Sequence, residues 1–432
     1  MSTLLDQASL ILTPNAYKAG TLYSVKPEDG VGDFDFTRAT TATRVNSAGL
    51  IETVATGVPR LDYPFIDGVV QGCPSLLLEP ARTNLVAYSE AFDNAYWTKN
   101  NSTVVGGFIS PDGTANAFKL VENTSTAGHS VFRNSSTVTL SSHSFSCFVK
   151  TNGRNVKLDF FGGTNNAIFD LTNGTVISAN GTGLNAKIET LSNGWYRCSI
   201  TQVQTSTTIY PNILCVDDSN ESTYTGDGTS GVYIYGAQLE AGSYATSYIP
   251  TSGSTVTRNA DVANGAGDAS TFNDSEGVLF AEISALADDL TNRRISISNG
   301  TTSDDNRINL MYTAASNQIT INYKASGTTR VSFSYVLKDV KDYNKVLMLY
   351  KSGDFRFYVN GFKLDTDSNT TMIADGTLSE LAFEDAQNIN NFYGNTKQVL
   401  TFKEALTDSE LENLTSWDSF IELAQGQQYI IY

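Results

Sequence analysis

The stretch FRFYVNGFKL, residues 355–364, decides the fold class. Apolar and polar residues alternate on both sides of Asn360–Gly361. Period-two alternation bounded by an Asn–Gly dipeptide reads as two antiparallel strands joined by a tight turn. The same pattern recurs along the chain in SFSCFVK (144–150), VKLDFFG (156–162), WYRCSI (195–200), GVYIYGAQL (231–239), RINLMY (307–312), QITINYK (318–324) and VLMLYK (346–351). A strand about every ten residues, with turn residues between, predicts sandwiches or jelly rolls. Long amphipathic helical patterns are nearly absent. One helix is expected, in TDSELENLTSW (407–417), where Thr407 and Glu410 have the three-residue spacing of a capping box.

At 432 residues the chain is long for a single core, so several domains are expected. Residues 1–85 carry few clean strands, a turn at PEDG (27–30), and four prolines between positions 59 and 80, Pro59, Pro64, Pro74 and Pro80. They read as an extended, loop-rich assembly segment that packs against something else. Residues 86–250 read as one jelly-roll-like β-sandwich. Residues 251–271, TSGSTVTRNADVANGAGDAST, read as a polar linker. Residues 272–432 read as a second sandwich with the short helix near its end and an apolar tail, DSFIELAQGQQYIIY (418–432). The expected fold class is all-β, with two antiparallel sandwiches.

The chain holds 28 basic and 45 acidic residues, a net charge of −17. Phosphate binding needs clustered Lys and Arg, so nucleic acid is not an expected partner. Cys73, Cys147, Cys198 and Cys215 form no CxxC pair, and the two histidines are His129 and His143. That inventory does not readily make a zinc site, and reduced, buried thiols are expected. No Ser-His-Asp arrangement or phosphate loop is legible. The polar start STLLDQ has no basic region before an apolar run, so synthesis in a cytoplasm without a signal peptide is expected.

Four stretches carry a resemblance: FTRATTATRVN (36–46), RLDYP (60–64), CPSLLLEPARTNLVAYSEAF (73–92) and GAQLEAGSYATSYIPTSGSTVTRNAD (236–261). Together they resemble virion proteins of tailed bacteriophages, whose fibre, spike or decoration subunits carry modules like carbohydrate-binding domains. In the last third, EGVLFAEIS (276–284), RFYVNGFKL (356–364) and KQVLTFKEALTDSELENL (397–414) resemble laminin-G or concanavalin-A-like sandwiches. The resemblance implies a structural protein of the virion surface, anchored through residues 1–85 to other virion proteins. It implies reversible adhesion to host-surface polysaccharide, and a homo-oligomer, most simply a trimer. A decoration or collar protein without a ligand and a polysaccharide depolymerase are the alternatives. A retaining depolymerase needs two carboxylates flanking the bond. FAEISALADDL offers Glu282 on the strand but places Asp288 and Asp289 at its end, so no enzyme activity is expected.

Two sets of site residues follow. Tyr96 and Trp97, in NAYWTK, are candidates to stack on a sugar ring, because a pyranose face matches a π-surface. The alternative is that Trp97 closes the end of the core. Asp217, Asp218 and Asp227 are candidate loop ligands for a structural calcium ion. DTDSN (365–369) starts like a calcium loop but has Thr370 and Gly376 where an EF-hand requires Gly and Glu.

Overall fold

The protein is described from a computed structural model covering residues 4–66, 68–160, 164–300, 305–387 and 389–417. The described chain is built from antiparallel strands, with a short turn of helix at Leu4–Gln7 and one capped helix at Asp408–Thr415. The hairpin of 355–364 is present: Phe355–Val359 pairs with Phe362–Asp367, and Val359 lies opposite Phe362. Asn360 and Gly361 between them both have positive φ, 50° and 89°. That backbone is the mirror-image turn whose twist matches the flanking strands, and Asn–Gly is the pair that adopts it at least cost.

The first sandwich has two six-stranded sheets. One runs in the order Trp97–Asn100, Ser130–Arg133, Asn212–Val216, Asn155–Asp159, Asn166–Asp170, Thr175–Asn180. The other runs Ser102–Phe108, Ala117–Glu122, Gly231–Ala241, Ser142–Asn152, Tyr196–Val203, Asn185–Thr190. Alternate residues, among them Val131, Phe145, Val149, Val156, Leu158, Ile200, Ile213 and Ile234, fill the space between. Cys147 and Cys198 face each other across two strands and, like Cys215, are buried thiols; Cys73 is exposed. Burial pushes the Cys147 and Cys215 thiols up to about 12, so they pack as small apolar groups.

The second sandwich sets a five-stranded sheet, Thr328–Val336, Gln318–Ala325, Arg307–Tyr312, Arg293–Ser298, Glu380–Ala382, against an eight-stranded one. The larger sheet corrects the expected domain division. Its strand Gly394–Phe402 pairs on one side with Glu276–Ala285, and on the other with both Ala8–Leu12 and Ser75–Leu78. Arg60–Asp62 then pairs with Ser75–Leu78. Residues 1–85 are therefore woven into the second sandwich rather than set apart from it. Leu10, Leu12, Leu22, Phe34, Phe36, Leu61, Leu76 and Leu78 enter its core beside Ile295, Leu310 and Val346. An apolar segment that cannot bury itself locally has joined a sheet completed hundreds of residues later.

The stretch 251–271 is not a free linker either. Val256–Arg258 pairs with Arg82–Asn84, and Val262–Asn264 pairs with Phe34–Thr37. The N-terminal hairpin Ala42–Val45/Ile51–Val54 lies over the first sandwich, where Ile51 packs with Phe148, Leu191, Trp195, Tyr235 and Tyr248.

The capped helix forms as read. The Thr407 side chain accepts from the Glu410 amide, and Glu410 Oε2 accepts from the Thr407 amide at 2.8 Å. Its Leu411 packs on Leu347 and Tyr358 of the eight-stranded sheet. Trp417 lies beside Lys345, whose Nζ stands 4.7 Å from the ring centre. The apolar tail 418–432 lies outside the described residues.

Candidate functional site

The aromatic pair Tyr96–Trp97 is not an exposed platform. Trp97 is 1% exposed, its ring stands 5.0 Å from Phe92, and its Nε1 donates to Tyr88 O at 2.8 Å. It opens a strand whose next residues face Val131 and Phe132, so its side chain points into the sandwich. Tyr96 is half-buried, with the Arg133 guanidinium 4.2 Å from its ring centre. Trp97 has no face to offer a sugar, and the core alternative is what the structure shows.

The three aspartates do not converge. Asp217 closes its own turn, accepting from the Ser219 and Glu221 amides. Asp218 is exposed. Asp227 accepts from the amides of Thr229 and Ser230 and lies 3.5 Å from Arg154. The Ser230 and Thr229 donors hold its carboxyl well below the usual carboxylate range. Among the described residues no group of three His, Cys, Asp or Glu is arranged to hold a metal ion. Glu282 is buried and accepts from Gln398, with Lys397 at 3.4 Å, while Asp289 pairs with Arg293.

Two other constellations come together. The first is a buried charge cluster that draws on every stretch quoted for the phage resemblance. Arg60 pairs with Glu79 at 2.6 Å and with Asp261. Arg38 pairs with Asp261 at 2.9 Å, and Arg258 with Glu79 at 2.8 Å. Ser247 donates to Glu79 from both its amide and its hydroxyl. Burial alone would lower the Arg60 guanidinium and raise the Glu79 carboxyl. The opposite charges more than offset this, holding Arg60 above and Glu79 below their ordinary values. The cluster ties the N-terminal strands to the segment between the sandwiches, and its side chains are at most 3% exposed. It is a clamp rather than a ligand site.

The second is a cavity of about 280 Å³ between the N-terminal hairpin and the outer face of the first sandwich. Thr43, Ile51, Glu52 and Thr53 line it from the hairpin. Glu90, Asp112, Tyr235, Tyr248 and Pro250 line it from the other side. Tyr235 follows Ile234, which faces the core, and precedes a β-bulge at Gly236 (φ 62°) that lets Ala237 and Leu239 face the core again. Strand alternation turns Tyr235 outward, opposite Phe148. Its phenol lies 3.1 Å from both Glu90 Oε1 and Asp112 Oδ2. Tyr248 donates to the same Glu90 oxygen at 3.0 Å. Burial, followed by the Glu90 and Asp112 charges, raises the Tyr235 phenol; burial and Glu90 do the same to Tyr248. Both phenols therefore stay neutral donors. Glu52 is met by Arg44 at 2.6 Å and by Asn46 at 3.1 Å. The cavity thus presents acceptors and phenols beside Ile51 and Pro250, and its volume is close to the lower bound of about 300 Å³ for ligand pockets.

These residues escaped the sequence reading. Tyr235 sat within an assigned strand, and Glu90 and Asp112 sat in loops. The one available signal was the alternation of GVYIYGAQL, which turns its tyrosines away from the core.

No family model matches the chain, and no curated protein matches it. Solved structures similar to part of it include the carbohydrate-binding module CBM40 of the Ruminococcus gnavus IT-sialidase bound to α2,3-sialyllactose. That match has 14% identity over 34% of this chain and 84% of that one, with a TM-score of 0.28. The NanB sialidase of Streptococcus pneumoniae matches at 14% identity over 34% of this chain and 24% of that one, TM-score 0.27. A heptameric SAP-like pentraxin of Limulus polyphemus matches at 11% identity over 34% and 72%, TM-score 0.27. Likenesses of this extent do not identify a ligand for this chain.

Proposed function

We propose that the protein is a non-catalytic adhesion subunit of a tailed-phage virion surface, binding neutral host glycans through the cavity beside Tyr235. The observation that carries the glycan reading is the convergence of Tyr235 and Tyr248 on Glu90, with Asp112 sharing the Tyr235 proton. Carboxylates accept hydrogen bonds and repel anions. The cavity therefore suits the hydroxyls of an uncharged sugar and disfavours sialic or uronic acids. The virion assignment rests on the sequence resemblance, and the stretches that carry it meet in the buried charge cluster. Weak single sites gain adhesion on a particle through avidity. Assembly as a homotrimer and attachment to other virion proteins belong to the same reading.

The test is a glycan array probed with biotinylated full chain multimerised on streptavidin. Binding to neutral glycans is expected. An array without hits favours a decoration protein with no ligand, and hits confined to acidic glycans reject the cavity as the site. Release of reducing sugar from a bound polysaccharide would replace adhesion with hydrolysis.

A further inference from the structure

The five-stranded sheet of the second sandwich is covered at one edge and open at the other. At the covered edge, Leu381 of Glu380–Ala382 exchanges backbone hydrogen bonds with Ala266, at 2.7 and 3.2 Å. At the open edge lies Thr328–Val336, which among the described residues pairs only with Gln318–Ala325. One bond fixes the direction of its backbone groups. The Leu337 amide donates to Asn317 O at 2.7 Å, toward the neighbouring strand. Alternate residues of an antiparallel strand turn their N–H and C=O the same way. Tyr335, Phe333 and Val331 therefore bond to their partners Ile319, Ile321 and Tyr323. Ser332, Ser334 and Val336 hold their N–H and C=O out over the open edge, and no described strand pairs with them.

Proteins guard such edges with charges, bulges or short strands. Other edge strands of this chain are guarded. Phe362–Asp367 carries Lys363, Asp365 and Asp367, and Asn185–Thr190 carries Lys187 and Glu189. Ser102–Phe108 and Thr175–Asn180 are each broken by a bulge, at Gly107 and Ile177. In Thr328–Val336 the register shift falls at Arg330. The run beyond it, VSFSYV (331–336), has no charge, proline or bulge. Its Tyr335 and Val336 are 42% and 64% exposed.

A strand edge of this kind is a template for another strand, and two observations point to a second copy of the chain. Copies with a net charge of −17 repel one another, and they do so least where the contact carries no charge. The run is also self-complementary. Turned about a two-fold axis through Ser334, it sets Ser334 opposite Ser334 of the second copy, and Ser332 opposite Val336. These are the residues whose backbone groups face outward, so each such pair can exchange two hydrogen bonds. The same register sets the half-exposed Tyr335 ring opposite Phe333 of the second copy, an aromatic cross-strand pair. The basic residues flanking the run are engaged within their own subunit: Lys338 lies 3.8 Å from Asp342, and Arg330 donates to Ala325 O at 3.3 Å.

We propose that Thr328–Val336 is a homotypic docking edge, which pairs antiparallel with the same strand of a second copy and joins two five-stranded sheets into one. The contact is isologous, and combined with a three-fold contact it gives a pair of trimers. It uses no residue of the cavity beside Tyr235 and does not rest on glycan binding.

Sedimentation equilibrium of the full chain at micromolar concentration counts the copies. Wild type is expected to reach an even number, two or six. Ser334→Pro removes the amide at the axis and sets a ring against the second copy. Its own sheet keeps its backbone hydrogen bonds, because that amide points away from Gln318–Ala325. The variant is expected to halve the count, two to one or six to three, with an unchanged near-ultraviolet spectrum. One or three copies in wild type overturns the proposal. An even count that folded Ser334→Pro retains overturns it as well. Should Ser334→Pro fail to fold, Ser334→Lys, which sets like charges face to face at the axis, makes the same test. The count does not depend on a bound sugar, so a glycan array without hits would reject the adhesion reading and leave this one standing.

Discussion

Arg60 and Asp261, 201 positions apart in sequence, form an ion pair in which neither side chain is exposed to solvent. Asp261 also receives Arg38 and the backbone amide of Glu79. One carboxylate thus joins three points of the N-terminal region to the segment leaving the first sandwich. Removing one partner of such a pair leaves its neighbours charged and buried, at a cost of about 3–5 kcal/mol. Arg60→Met is expected to destabilise the protein by that order, because Glu79 and Asp261 would both lose a counter-charge. Urea unfolding followed by tryptophan fluorescence measures it. A midpoint unchanged from wild type would show that the cluster is not a clamp.

Acid should release the same clamp. The Glu79 carboxyl is held below its ordinary value of 4.5, against burial, by Arg258 and Arg60. A group whose folded pKa is depressed contributes stability that is complete above its unfolded pKa. That stability is lost as pH falls toward the folded one. The melting temperature should therefore fall steadily below about pH 4.5, and Glu79→Gln should flatten that part of the profile while lowering the melting point at neutral pH. A Glu79→Gln profile parallel to wild type down to pH 3 would reject the linkage.

Deleting residues 1–85 is expected to give insoluble protein. The strand Gly394–Phe402 would lose both Ala8–Leu12 and Ser75–Leu78 from one side. Eight leucine and phenylalanine side chains would leave the core, and the bared edge is a template for aggregation. Soluble, monomeric 86–432 with native β-rich circular dichroism would show instead that the N-terminal region is an appendage.

Much of the fold was legible because its signals are local. The Asn–Gly turn at 360–361 and the capping box of Thr407 and Glu410 each settle within a few residues, and both appear as read. Period-two alternation placed central strands of both sandwiches, among them Ser142–Asn152 and Gly231–Ala241 in the first and Arg307–Tyr312 and Gln318–Ala325 in the second. The role of residues 1–85 was not legible, because Ser9 and Thr401, hydrogen-bonded at 2.9 Å, are 392 positions apart, and nothing in ASLIL announces a partner at that distance. Trp97 shows a different limit. Composition places an aromatic residue at the end of a sandwich, but only the register with Ser130–Arg133 decides which way it points. The cavity required separate segments, 43–53, 90–112 and 235–250, to meet.

Trp97→Ala should behave as a core truncation. Loss of a buried tryptophan costs about 3–5 kcal/mol, and the Phe92 ring, 5.0 Å from Trp97, would be left beside a void. Calorimetry should show the first sandwich melting earlier while the folded fraction keeps wild-type glycan binding. Binding lost with unchanged stability would return Trp97 to the list of ligand contacts.

Tyr235→Phe separates ligand recognition from stability at the cavity itself. The phenol supplies one proton to two carboxylates, each 3.1 Å away. Without it, Glu90 keeps Tyr248 at 3.0 Å, and Asp112 keeps Ser110, Thr114 and Asn116. The carboxylates therefore remain hydrogen-bonded, and the ring still fills its place against Phe148 and Tyr248. The loss of one hydrogen bond to charged groups is worth about 1.5–3 kcal/mol at most, so the fold should survive with a modest fall in melting temperature. A sugar in the cavity would lose the phenol oxygen that accepts or donates beside it, while the two carboxylates would repel each other across the gap. Titration by isothermal calorimetry of a neutral glycan identified on the array should therefore show affinity down about tenfold or more, corresponding to at least about 1.4 kcal/mol. An affinity equal to wild type, in protein with an intact near-ultraviolet spectrum, would place the sugar elsewhere.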